Sequence, residues 1–182
     1  HREALASLDR AIELNPLLAE AYEQKAQILA DLEEYDEALA TCESAHWGGQ
    51  IPETLQGRAA DIRARQGEVD EAIERMRKVV AVSPDYAWGW FRLAEWLDTP
   101  TRGKEYFEAC RGLARCSPQW AVAQGFLGDA ERRFGDHEKA LDAFEKAILF
   151  DPTYLFAFNT FLDMTKDCDR GRLVQLAGKL VN

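Results

Sequence analysis

Much familiar chemistry has no residues to carry it in this sequence. There is no glycine-rich phosphate loop, no H-E-x-x-H helix and no G-x-S-x-G elbow. Phosphate cradling, zinc proteolysis and serine hydrolysis are therefore not expected. Histidine is scarce, with only His46 and His137 internal to the chain. No nucleophile–histidine–carboxylate set suggests itself, and the many carboxylates single out no acid–base pair. The reading is of a non-enzyme without cofactor. Cys42, Cys110, Cys116 and Cys168 make no C-x-x-C pair, so reduced structural thiols are expected. Cys42 and His46 stand one helical turn apart, but no second pair accompanies them and no metal site is predicted. No apolar run reaches about 18 residues, which leaves no candidate membrane-spanning helix. Positive charge is the minority: 22 Lys and Arg against 32 Asp and Glu give a net charge of −10. Such a surface repels phosphate backbones and anionic bilayers, so neither nucleic acid nor membrane is an expected partner. The chain opens at His1, already in a helical pattern and without a signal-peptide profile. A cytoplasmic piece of a longer protein is the expectation.

What is present is a period. Pro84, Pro118 and Pro152 are 34 residues apart and Pro16 lies 68 before Pro84, while the intervening proline is displaced to Pro52. Each in-register proline follows Asn15, Ser83, Ser117 or Asp151. These are good N-cap residues, and proline suits the first helical turn, so a helix is predicted to begin at each point. Twelve residues upstream stand Ala4, Ala72, Tyr106 and Ala140, with Ala38 in the displaced unit. Four and then seven residues on come Leu8 and Ala11, Cys42 and Ala45, Met76 and Val79, Cys110 and Leu113, Phe144 and Ala147. Those offsets put all of them on one helical face. A partner helix precedes each, carrying a small residue at Ala26, Ala60, Ala94 or Gly128, where two helices can approach closely. Short turns join the pairs at Glu33–Asp36, Gly67–Asp70 and Gly135–Glu138, with glycine expected to supply the left-handed stop.

With these motifs the sequence resembles the tetratricopeptide repeat family. Leu127-Gly128, Gly135-Asp136, Ala140, Phe144, Ala147 and Asp151-Pro152 carry the resemblance most fully. It implies an all-α fold, an α-solenoid of antiparallel helix pairs wound as a right-handed superhelix. One array over 1–182 is expected: a partial unit 1–18, full units 19–52, 53–86, 87–120 and 121–154, and a degenerate unit 155–182. Departures are Lys25 where leucine is usual, Tyr106 where a small residue is usual, and a two-residue slip around Gly48-Gly49. Tyr106 is expected to splay its helix pair. The stretch Ser83–Leu97 also looks somewhat like the repeat of protein prenyltransferase α subunits, but in one unit only.

In this family the first helices of the pairs line the concave face, and offsets then assign groove residues. The ninth residue of each unit reads Gln27, Asp61, Glu95, Asp129 and Asp163, an acidic row that is either a solvated face or a docking rail for Lys and Arg. Trp88 and Phe91 have no core role by this mapping; they contact a partner or pack on the preceding unit. Phe156 is the aromatic at the matching place in the last unit. Arg65, Arg132 and Arg133 fall near the groove and either pair with the acidic row or bind a partner carboxylate. The candidate partner-binding residues are thus Asp61, Trp88, Phe91, Glu95, Asp129, Arg132, Phe156 and Asp163. The expected function is a scaffold that holds a protein or peptide segment, one with basic residues, in its groove. Alternatives are a substrate-recruiting or regulatory arm of a larger enzyme, and self-association. For the latter, the last helix offers Leu173, Val174, Ala177, Leu180 and Val181.

Overall fold

The structure is a computed structural model that describes residues 1–166 and 170–181, apart from the side chain of Ala45. Cys168 and the expected core side chain of Ala45 lie outside the described residues. Within them every regular element is helical, so the fold class is all-α, with the paired helices of a solenoid. In chain order the helices are α1 (Arg2–Leu14), α2 (Ala19–Asp31), α3 (Tyr35–Cys42), α4 (Glu53–Arg65), α5 (Val69–Val82), α6 (Ala87–Leu97), α7 (Gly103–Cys116), α8 (Ala121–Phe134), α9 (His137–Phe150), α10 (Leu155–Thr165) and α11 (Arg170–Val181). The chain forms two compact units, His1–Gly89 and Trp90–Asn182.

The prolines act differently from the capping expectation. Asn15, Ser83, Ser117 and Asp151 each end the preceding helix as its C-cap, and the next helix starts three residues after the proline. Between them runs a tight turn: the amides of Leu18, Tyr86, Trp120 and Tyr154 donate to the carbonyls of Asn15, Ser83, Ser117 and Asp151 at 3.1 Å. Proline therefore sits at the second position of a β-turn, where its fixed φ is already right. Asp151 reinforces its turn, its carboxylate accepting from the Thr153 amide at 2.9 Å. The left-handed stop is also taken differently: Gly67 has φ +89°, whereas Glu33 adopts φ +62° and Gly135 does not enter that region.

Each unit has its own core. In the first, Tyr22, Ala26 and Leu29 of α2 mesh with Ala38 and Cys42 of α3 and with Leu55, Ala59 and Ile62 of α4. Lys25 leaves the apolar face and reaches Asp9 of α1 at 2.8 Å. Helix α3 stops at Cys42, and a short 3-10 turn, Ala45–Trp47, leads into Gly48 and Gly49, both at positive φ. Trp47 then lies edge-on to Tyr22, with ring centroids 5.3 Å apart. In the second unit Phe144, Ala147 and Ile148 of α9 pack with Ala157 and Phe161 of α10 and Leu176 of α11. Gly128 of α8 is there because a Cβ would come within 2.8 Å of the Phe144 ring. The expected stripe on α11 is corrected: Leu176 is buried and Leu173 half-buried, while Val174 and Val181 face outward. The reason is register, since Leu173 and Leu176 are three residues apart on one face and Val174 is turned about 100° from Leu173. Arg172 clamps α11 to α9 through Glu138 at 3.0 Å, Glu145 at 3.2 Å, and Asp142.

Candidate functional site

The first helices of the pairs carry one arrangement twice, 68 residues apart in sequence. In the first unit Asp61 of α4 is 2% exposed and lies 3.4 Å from Arg58 and 3.3 Å from Arg65. Arg65 also reaches Asp31 of α2 at 2.7 Å, and that hydrogen bond holds the Asp31 carboxyl below its ordinary value. Arg58 makes a further contact with Glu23 at 3.2 Å, and its guanidinium lies 4.9 Å over the Trp88 ring. Tyr86 stands 5.9 Å from Trp88 and lies over Gly57, where a Cβ would come within 2.7 Å of its hydroxyl.

In the second unit Asp129 of α8 is 7% exposed and accepts three hydrogen bonds: from Arg132 at 2.6 Å, from Arg133 at 3.0 Å and from the Tyr106 hydroxyl at 3.0 Å. Burial alone would raise this carboxyl, but the three donors outweigh it and hold Asp129 below its ordinary value. Arg133 also meets Asp98 at 2.5 Å and stacks between the rings of Tyr106 and Phe134, at 5.0 and 4.9 Å. Tyr154 lies over Gly125 as Tyr86 lies over Gly57, and stands 6.0 Å from Phe156. Tyr106, Phe126, Tyr154 and Phe156, together with Asp98, Asp129 and Arg133, line a cleft of about 390 Å³. That volume is in the range of small-ligand and side-chain pockets.

Among the predicted residues, the structure therefore brings Asp129, Arg132 and Phe156 together. Phe91 borders them, 5.8 Å from Phe126 and 5.5 Å from Trp120, and is half-buried by its own chain. Trp88 is likewise half-buried, against Arg58 of the preceding helix pair. Glu95 and Asp163 are exposed and make neighbouring-turn pairs with Arg92 at 2.5 Å and Lys166 at 3.1 Å. The acidic row is thus of two kinds: Asp61 and Asp129 are buried between arginines of their own helices, and Glu95 and Asp163 face solvent. The Tyr106 ring lies against Phe126 and Phe134 of α8, with ring centroids 6.5 and 6.2 Å away.

Comparison with known proteins follows the same lines. A family model described as Tetratricopeptide repeat matches residues 1–46, and a second of the same description matches 121–154. The chain carries tetratricopeptide repeats. Comparison with curated proteins gives no match. Among solved structures, the chain is similar to YrrB, described as a TPR protein with an unusual peptide-binding site, at 23% identity and TM-score 0.61, covering 87% of this chain and 82% of that one. It is also similar to MamA 41-end from Desulfovibrio magneticus RS-1, at 20% identity and TM-score 0.66 over 90% and 91% of the two chains. A further MamA structure gives 18% identity and TM-score 0.68 over 88% of each. At these identities the likeness is one of fold.

The residues that sequence reasoning missed are Gly57, Tyr86, Gly125, Phe126 and Tyr154. A signal was present: glycine and tyrosine recur 29 residues apart at 57 and 86, and again at 125 and 154. The His46 ring meets the hydroxyls of Ser44 at 2.8 Å and Tyr22 at 3.3 Å. No group of three His, Cys, Asp or Glu that could hold a metal ion occurs among the described residues. No described helix is long and apolar enough to cross a membrane.

Proposed function

We propose that the chain is a protein-interaction scaffold that holds a partner segment on the faces made by its first helices. The observation that carries this is the open aromatic cleft of the second unit, with Phe156 46% exposed at its mouth. Exposed rings around a concavity are a recurrent anchor for partner side chains. Basic residues in the segment would answer to the solvent-facing carboxylates Glu95 and Asp163; Asp61 and Asp129 are engaged by arginines of this chain. The peptide-binding site described for YrrB makes a peptide the first ligand class to try.

The test is a peptide library screened against the whole chain. Phe156→Ala is expected to weaken the tightest peptides by about tenfold or more, the scale of an interface anchor. Glu95→Lys with Asp163→Lys should weaken binding and flatten its salt dependence. Peptides that bind both variants as they bind the parent chain would remove this face from consideration. A second reading, self-association, draws on the outward apolar residues of α11, Val174 at 72% and Val181 at 88% exposure. Light scattering that stays at monomer mass across concentration would set it aside.

A further inference from the structure

The two copies of the arrangement differ in where the second arginine comes from. Positions 58, 61, 64, 65 and 88 of the first unit correspond to 126, 129, 132, 133 and 156 of the second. In the first unit Asp61 is compensated by Arg65 and by Arg58, which bridges from its own helix across the Trp88 ring to the carboxylate. Residue 64 there is Ala64. In the second unit Phe126 replaces that arginine, and the second positive charge arrives instead from Arg132, 42% exposed at its side chain, on the solvent side. Asp129 is neutralised just as fully, but the space beside Phe126 and Phe156 is left unfilled, as the cleft of about 390 Å³.

We infer that this cleft is a socket for one uncharged aromatic or branched aliphatic side chain of a partner, and that the residue pair 126 and 132 sets this selectivity. This rests on the scaffold reading and specifies what the cleft takes. Charge balance decides the guest. The Asp129 carboxylate already accepts three hydrogen bonds of the roughly four it can take. Asp98 is matched by Arg133. A guest lysine or arginine would shed its hydration and find no unpaired carboxylate in return. An apolar side chain has no charge to desolvate on entering, and meets the rings of Phe126, Tyr154 and Phe156.

The test uses N-acetyl-L-phenylalaninamide and N-acetyl-L-argininamide as probes, with the ¹⁵N-labelled whole chain followed by NMR. The phenylalanine amide is expected to shift the Gly125 and Gly128 amides saturably, at least tenfold more tightly than the arginine amide. Phe126→Arg with Arg132→Ala installs the first unit's pair and should abolish those shifts by filling the cleft. The reverse pair, Arg58→Phe with Ala64→Arg, should open a second site and produce new shifts at Gly57, which keeps the test independent of whether the first variant folds. Equal or tighter binding of the arginine amide, no saturable shift with either probe, or shifts indifferent to both exchanges would overturn the inference. None of these outcomes touches the scaffold reading, which the peptide screen judges separately.

Discussion

Replacing Tyr106 by Phe removes a single oxygen from the second unit. The ring is 1% exposed, and its packing against Phe126 and Phe134 survives the change. What goes is a 3.0 Å hydrogen bond to a carboxylate that is itself 7% exposed, together with the hydroxyl's hydrogen bond with the Cys110 thiol. A hydrogen bond to a charged group contributes about 1.5–3 kcal/mol. Asp129 keeps two arginine donors, which places the cost at the low end, about 1.5–2 kcal/mol. For a chain of this size that lowers Tm by roughly 3–8 °C. The pH dependence gives the sharper signature. The folded Asp129 carboxyl lies below its ordinary value, so its stabilising contribution is complete above the unfolded value of about 3.9 and is lost as pH falls through the lower, folded one. The difference between Tyr106→Phe and the parent should therefore be full at pH 7 and should shrink below about pH 4. Urea denaturation followed by far-UV circular dichroism at both pH values measures it. A difference under about 0.5 kcal/mol at pH 7, or one that is the same at low pH, would refute the reasoning.

Gly128→Ala should destabilise the second unit by about 1–3 kcal/mol, because its Cβ would meet the fully buried Phe144 ring; urea melts of the variant and of Gly128→Ala with Phe144→Leu, which makes room, check this. Burial pushes the thiols of Cys42 and Cys110 up to about 12, so both should resist a thiol reagent at pH 8 until urea is added, while half-buried Cys116 reacts ahead of these two, as read by peptide mass spectrometry.

The 34-residue recurrence made the all-α class readable from sequence, because small residues and capping signals at a fixed interval can hardly serve anything but stacked helix pairs. The prolines show the limit of local rules. Asn-Pro, Ser-Pro and Asp-Pro suit a helix start and a β-turn equally well, and only the hydrogen bond from residue 18, 86, 120 or 154 back to the residue before the proline decides for the turn. The acidic row shows another limit. A helical offset tells which face Asp61 and Asp129 lie on, but not that Arg65 and Arg133, four residues further on, fold back over them. Internal pairing is one of the two roles the sequence allows those arginines. The cleft itself was out of reach of offsets, since it exists through an exchange of arginine for phenylalanine at 126 and the turning of the Tyr106 ring toward α8. The α11 stripe failed for a simpler reason: a short run rich in Leu and Val fits more than one face, and Leu176 wins the core.

Hydrogen–deuterium exchange of the whole chain, with and without the tightest peptide from the library, tests the central claim most directly. Protection gathered on the first helices, α8 and α10 above all, is the outcome the account predicts. Protection confined to α9 and α11, with α8 and α10 unchanged, would contradict it.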